Sequence, residues 1–595
     1  MNILGISAYY HDSAACLLVD GAVRAAAQEE RFSRVKNDHS FPQQAARYCI
    51  SALKPGERIN ALAFYDNFGL KRLRSLSMLT RYRGISNFLS SLANWSKFDE
   101  FFHEVERLGL SLDLKSDVHF VRHHVSHAAS AFFCSPFSEA SVVTVDGVGE
   151  FDTTAIGEGA GTRLKLLKTI EFPHSLGLFY SAFTLHLGFK VNSGEYKVMG
   201  LAPLGVPTMV SLLRDHVIEL RDDGSFRLNL DIFRFHNSKQ MIDHGAIEKL
   251  FGVERREEST PLDERHRNLA ASIQLIIEEA MFNLCREAIK TTGKPDLCFA
   301  GGVALNCSAL GKLRNRLPQS KVYVQPAAGD AGGALGASLA LWYARELRRR
   351  LNGFHCYLGP SIDDNAAEEF FIKRGFPYRR FDSLATLSKE VAMNITQGRE
   401  VAWCRGAMEW GPRALGARSI LANPLKPHIR RDLNLRIKKR ESFRPFAPMV
   451  LEDCLADLFI NPERATTMSF VFFLRDELRA TDAVLKTGRH TLTAEQFRLV
   501  KDAVIHADWS ARVQSISSDS KIYPLLSAFY EWTGCPILIN TSLNVRGEPI
   551  VNDHWAAYKC FWRAQLDILV VGNMLLRREE QPMLAPEELE EFEPD

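Results

Sequence analysis

Residues 298–306 read CFAGGVALN and residues 322–336 read VYVQPAAGDAGGALG. In both, an apolar run of strand length ends in a Gly-rich turn and gives way to a helix-forming stretch. Upstream, the β-branched run from Ser141 to Asp152 passes through VDGVGE (145–150) and repeats the pattern. Buried strands alternating with helices, with polar groups at the strand ends, predict an α/β fold.

Working outward, the chain opens with NILGISA, ACLLVDG and AVRAAAQEE, three β-capable runs broken by Gly and Asp. Asp20-Gly21 suits a hairpin turn. Residues 70–112 have helical period and many aromatics, among them Phe88, Leu89, Leu92, Trp95, Phe98, Phe101 and Phe102, and read as a helical insertion. The helix after Gly332 finishes in ARELRRR, and Asn352-Gly353 breaks it. This predicts a first domain over 1–352 and a linker over 353–375. The pattern restarts in EVAWCRG, ARSILANP and CPILINTS, giving a second α/β domain over 376–578. The tail, 579–595, holds eight acidic residues, three prolines and no basic residue, and is expected to be disordered.

At 595 residues the chain is too long for one core. Lys+Arg number 73 and Asp+Glu 71, a net charge of +2, so no global basic field favours nucleic acid. The 11 cysteines lack any CxxC pair and read as reduced thiols of a cytoplasmic protein. Neither a signal peptide nor a membrane span is expected.

Three constellations carry chemistry. In VRHHVSHAASAF, His123 and His127 stand one helical turn apart, a spacing that can chelate one divalent ion. His124 lies three residues before His127, so spacing alone leaves the pair open. Asp146 and Asp330 end apolar runs, where a carboxylate is costly unless paired or metal-bound. Two His with carboxylates suit iron or manganese better than structural zinc. Second, Gly301-Gly302 with Asn306 could hold a nucleotide at a helix start, and GEYKVMG (194–200) forms a polar patch containing Lys197. No Walker A or GxGxxG motif is present. Third, Arg413 and Arg418 in EWGPRALGARS, then Lys438, Lys439, Arg440 and Arg444 in IKKRESFRPFAP, then Arg512, form a basic set suited to anions. Ser542 and Asn544 in NTSLN can donate to the same oxygens.

Over nearly its whole length the chain resembles the carbamoyltransferase family of nodulation-factor and antibiotic biosynthesis. The resemblance is carried by HDSAA, EERFSRVK, HHVSHAASAF, VDGVGE, GEYKVMGLAP, AGGVALNC, AAGDAGGALGA, EWGPRALGARSI, ESFRPFAP and NTSLNVRGEPIV. It implies an N-terminal ASKHA domain, the actin-like ATPase fold of two RNase H-like halves, followed by a YrdC-like α/β domain. It implies metal ligation by His123, His127, Asp146 and Asp330, and a transfer site with His11 and Lys36. A nucleotide or carbamoyl group in the first domain would meet Gly147, Lys197, Gly301, Gly302 and Asn306. ATP and carbamoyl phosphate in the second would meet Arg413, Arg418, Lys438, Arg444, Arg512, Asn540, Ser542 and Asn544.

The implied cofactor is Fe(II), or Mn or another divalent metal, with ATP and carbamoyl phosphate as co-substrates and Mg compatible with both. The implied partner is a small-molecule acceptor, with no nucleic acid, no membrane and a homodimer compatible. The chain departs from relatives at Ala407, where many carry Arg and where Arg405 stands on the other side of the Gly, and at Leu310-Gly311-Lys312 in place of Asn-Gly-Lys. Two rival readings are a tRNA threonylcarbamoyl-transfer protein and a non-catalytic actin- or chaperone-like ATPase. Near-zero net charge opposes the first, and the His/Asp set has no purpose in the second.

Overall fold

The computed structural model describes residues 1–82, 96–238, 240–345, 354–589 and 592. It divides into two compact units, 1–33 with 37–355, and 34–36 with 356–595. Phe88, Leu89, Leu92 and Trp95 of the expected insertion lie outside the described residues. On either side of them the chain is helical, over Phe68–Tyr82 and Lys97–Glu106.

The first unit contains two five-stranded sheets. One comprises β1 (Asn2–Ser7), β2 (Ala14–Val19), β3 (Ala22–Gln28), β4 (Ala61–Phe64) and β5 (Val118–Phe120), in the order β3-β2-β1-β4-β5. The other comprises β6 (Glu139–Val145), β7 (Asp152–Ala160), β8 (Arg163–Glu171), β11 (Leu297–Ala300) and β12 (Val322–Val324), in the order β12-β11-β6-β7-β8. A small hairpin, β9 (Ile218–Leu220) with β10 (Phe226–Leu228), lies between them in sequence.

The pairing senses match strand for strand. β1–β2 and β2–β3 are antiparallel, and β1–β4 and β4–β5 are parallel. β6–β7 and β7–β8 are antiparallel, and β6–β11 and β11–β12 are parallel. This is one RNase H-like order twice over, the ASKHA architecture. The opening meander and the three strand–turn–helix runs are where the apolar patterning puts them. One difference is GEYKVMG, whose residues form the helix Glu195–Leu201 with Lys197 buried, in place of a polar loop.

Two helices bind the halves together and carry metal-ligand candidates, His123–Cys134 and Ala331–Tyr343. The first is rich in Ala and Ser and the second in Ala and Gly, which lets their backbones approach. A Cβ on Gly336 would lie 1.7 Å from the Ser126 carbonyl oxygen, so only Gly fits there.

The second unit is built on an eight-stranded mixed sheet that includes Val401–Cys404, Arg418–Ala422, Ala447–Leu451 and Ile537–Ser542. Two expectations need correction here. Residues 353–375 are not a plain linker, because Tyr357–Ser361 is a strand paired with Ala407–Glu409, and Asp363 caps a helix over Asp364–Arg374. Burial of Leu358 and Phe371 draws this stretch into the fold. The acidic tail is ordered through Leu589, because Gln581 and Leu584 are buried and Glu579 and Glu588 pair with Arg399 and Arg374. Among the described residues no helix is long and apolar enough to cross a membrane, and all 11 cysteines are buried and free.

Gly336→Ala is expected to push the two ligand-bearing helices apart and to destabilise the first unit by about 1–3 kcal/mol, as overpacking typically does. Thermal or urea unfolding of the full chain checks this.

Candidate active site

Four side chains converge in the first unit. His123, His127, Asp146 and Asp330 are all buried, and each offers one ligand atom within 4.8 Å of the others. His123 Nε2 lies 2.9 Å from Asp146 Oδ2 and 3.7 Å from Asp330 Oδ1. His127 Nε2 lies 3.5 Å from Asp146 Oδ2, 3.6 Å from Asp330 Oδ1 and 3.1 Å from His123 Nε2. His124 is not part of the group. Its Nδ1 meets Thr144 Oγ1 at 2.7 Å and its Nε2 meets the Asp152 carbonyl at 2.9 Å, so both ring nitrogens tie the helix to the sheet. Burial pushes its pKa down to about 3.

The group holds its charges together under constraint. Burial alone would drive His127 down, but the adjacent carboxylates of Asp146 and Asp330 outweigh it and push the imidazole up to about 9. Burial would likewise raise Asp146, yet His123 and His127 hold it well below the usual carboxylate range. Asp330 Oδ1 is buried without a hydrogen-bond partner. Two imidazole Nε2 atoms aimed at each other and at two carboxylates, with an orphaned oxygen among them, fit a divalent cation.

The backbone around the group is fixed by its own contacts. Ser175 Oγ donates to the Gly147 and Asp146 carbonyls at 2.7 and 3.1 Å. The Gly302 amide donates to Asp146 Oδ1 at 2.7 Å and the Gly301 amide to the Ala328 carbonyl at 2.7 Å. Gly301 has φ +96°, and a Cβ there would meet the Val145 carbonyl oxygen at 2.2 Å. These two amides therefore serve the metal-site backbone. Asn306 is committed as well. Its Oδ1 caps the helix Cys307–Arg316 through Ala309 N, and its amide exchanges two 3.0 Å hydrogen bonds with Gln274. Lys197 Nζ lies over the Phe189 ring, 5.8 Å from its centroid.

His11 joins the rim of the group. Its Nε2 is 3.9 Å from Asp330 Oδ2 and its Nδ1 is 3.0 Å from Asp12 Oδ2. Burial works against its charge, but Asp330 and then Asp12 prevail and push it up to about 10. Lys36, in the segment Arg34–Lys36, groups with the second unit.

In the second unit, Lys438, Ser542 and Asn544 come together. Lys438 Nζ donates to the Ser542 carbonyl, to Ser542 Oγ at 3.3 Å, and to the carbonyl and Oδ1 of Asn544 at 2.9 Å each. Burial, then Arg440 and other charges including Lys36, push this ammonium down to about 7. Asn540 donates to the Ala414 carbonyl and to Gln514, both at 2.9 Å, while its Oδ1 is buried without a partner. Arg413, Arg444 and Arg512 are half-buried.

Arg418 overturns its expectation as an anion ligand. It is fully buried and spends its guanidinium on backbone carbonyls, those of Asn552, Gly406, Ala417, Arg405 and Pro360 at 3.0–3.4 Å. A guanidinium so occupied has no fork left for phosphate.

Tyr65, Asp66 and Glu150 escaped the sequence reading. Glu150 accepts the His123 amide at 3.0 Å and the Asn67 amide at 3.0 Å, fixing the start of the histidine helix. Asp66 ends the apolar run ALAFYD, the same signal that singled out Asp146 and Asp330.

With this geometry in hand, comparison with known proteins decides the family. The model of the carbamoyltransferase N-terminus matches residues 2–339 and that of the carbamoyltransferase C-terminus matches 392–578. The chain belongs to the carbamoyltransferase family. It is 41% identical to uncharacterized protein sll1178 of Synechocystis sp. over all of both chains. It is 35% identical to nodulation protein NolNO of Sinorhizobium fredii over 96% of this chain and 79% of that protein. It is also 35% identical to nodulation protein NolO of Bradyrhizobium diazoefficiens, over 77% and 79% respectively. The protein is thus a transferase of carbamoyl groups, and its buried His/Asp group could hold a metal.

Because His127, pushed up to about 9, must release its proton to ligate, metal affinity should fall roughly tenfold per pH unit as pH drops from 9 to 7. Competition titrations with Mn(II) at several pH values check this. Arg418→Ala should strand buried carbonyls and destabilise the second unit by about 3 kcal/mol or more, which equilibrium unfolding would read.

Proposed function

We propose that this carbamoyltransferase consumes ATP and carbamoyl phosphate, forms carbamoyl-adenylate on the second, YrdC-like unit, and delivers the carbamoyl group to a hydroxyl, or an amine, of a small-molecule acceptor in the first unit. The observation that carries the reading is the buried His123/His127/Asp146/Asp330 group in a chain matched by both carbamoyltransferase models.

On the second unit, carbamoyl phosphate and ATP bring several negative charges together, so the site must supply cations. Lys438, Arg413, Arg444 and Arg512 are the candidates. Lys438 is held rigidly by the Ser542–Asn544 loop, which places a point charge beside hydroxyl and amide donors.

On the first unit, His123 and His127 through Nε2, and one oxygen each of Asp146 and Asp330, would hold Fe(II) or Mn(II). When bound, such an ion supplies polarisation of the carbamoyl carbonyl and neutralisation of leaving-phosphate charge. His11 then becomes the proton acceptor. Asp330 is the carboxylate that chiefly keeps its ring protonated, and with that charge committed to a cation the imidazole is released toward the range where it can take the acceptor's proton. Asp12 orients the ring through Nδ1. The acceptor would approach past Tyr10, whose exposed ring packs against His11 at 4.7 Å between centroids.

His11→Asn should lower carbamoyl transfer to the acceptor by about 100-fold or more, the usual worth of a general base, while leaving carbamoyl-phosphate-dependent release of pyrophosphate from ATP intact. Mass spectrometry of candidate acceptors alongside a pyrophosphate assay separates the two. Loss of both activities together would overturn the division of labour.

A further inference from the structure

The two residues that follow β4 each face a different candidate ligand. Tyr65 Oη donates to Asp330 Oδ2 at 3.3 Å. Asp66 Oδ2 lies 3.8 Å from His123 Nδ1, on the side of the ring opposite Asp146. His123 Nδ1 is buried and makes no hydrogen bond, and Asp66, only 1% exposed, presents a carboxylate oxygen to it. Asp66 is fixed by an ion pair of that same Oδ2 with Lys71 and by the Asn67 amide, which donates to its Oδ1 at 2.8 Å.

Tyr65 is equally fixed. Its ring sits on the bare backbone of Gly333, where a Cβ would approach Tyr65 Cδ2 to 2.5 Å, and its centroid is 5.2 Å from that of His123. Its carbonyl accepts from Ser126 Oγ at 3.2 Å, which ties it to the histidine helix.

We infer that Tyr65 and Asp66 are positioning residues that set how tightly and in what geometry the first unit binds its metal, resting on the metal reading above. A carboxylate across from Nδ1 selects the tautomer protonated at Nδ1, leaving the Nε2 lone pair free for a cation, and raises the basicity of that nitrogen. A phenol on Oδ2 of Asp330 leaves Oδ1, the orphaned atom, as the oxygen turned toward the ion. The pair thus assigns one ligand atom on each of two residues: Nε2 of His123 and Oδ1 of Asp330.

The test is cobalt(II) titration of the full-length chain, followed by the d–d absorption of the bound ion and by competition with a chelator. Wild type should bind one ion per chain. Asp66→Asn and Tyr65→Phe should each weaken binding about 10–100-fold and shift the d–d bands, with cooperative unfolding retained; Asp66→Glu should recover most of the affinity, since its longer arm still reaches Nδ1. Unchanged affinity and unchanged bands in both Asp66→Asn and Tyr65→Phe would overturn the inference, as would losses that track only a loss of cooperative unfolding. Should Asp66→Asn fail to fold, Tyr65→Phe decides, because it removes a single hydroxyl. If wild type itself binds no stoichiometric cobalt, the metal reading fails first, a result distinct from normal binding that ignores the two substitutions.

Discussion

Two carboxylates and two imidazoles share one dry space, and that electrostatic strain organises the first unit. Taking an ionised carboxylate out of water costs several kcal/mol even after relaxation, and Asp146 and Asp330 both suffer it within the same small volume. Positive charge must be found there. Without an ion, protons supply it, which is why His127 is pushed up to about 9 and His11 to about 10. A divalent cation supplies the same charge without protonating the ligands, so binding is an exchange of protons for metal. The packing is arranged to keep that exchange open: the amides of Gly301 and Gly302 are spent on the backbone and on Asp146, while the inward atoms of the four ligands have little besides each other.

Much of this was legible in the amino-acid order. The apolar runs before VDG, AGG and AAGDAGG mark strands because nothing else buries such runs, and an aspartate at their end is conspicuous because it is expensive. That rule found Asp146 and Asp330, and applied to ALAFYD it finds Asp66. The helical spacing of His123 and His127 was readable too, but not the exclusion of His124. That depends on Thr144 and Asp152, which lie across a sheet and only tertiary structure brings to it.

The misjudged residues share one cause. A helix-capping asparagine and an arginine between apolar neighbours both look like ligand contacts, because a bound phosphate and a buried backbone ask for the same groups. Asn306 caps a helix as it would cap a phosphate, and Arg418 satisfies carbonyls left open by loops in the second unit as it would satisfy anionic oxygens. Full burial distinguishes the two uses after the fact: a guanidinium with no exposure has already been paired by the fold. Lys438 is the harder case. It is buried and bonded to protein oxygens, yet its charge is pressed down to about 7 by burial and by neighbouring cations, so an arriving anion would relieve rather than add to its cost.

The duplicated topology explains why the site is where it is. In each sheet three strands run parallel, β1, β4 and β5 in one and β6, β11 and β12 in the other. The residues just beyond their C-terminal ends are His11, Tyr65 with Asp66, and His123 from the first sheet, and Asp146, Gly302 and Asp330 from the second. Of the four ligand candidates, His123, Asp146 and Asp330 follow these strands directly, and His127 lies one helical turn beyond His123. Strand ends are where a parallel sheet leaves its backbone unfilled and its helices begin. With two such sheets the fold brings six strand ends together, and a chain that places carboxylates and imidazoles there builds a four-ligand group from residues as far apart as His123 and Asp330. The division is also chemical: the second sheet contributes the two carboxylate ligands, whereas the helix that follows β5 of the first contributes both imidazoles, with Tyr65, Asp66 and His11 beside them. Each half thus supplies two of the four ligand candidates.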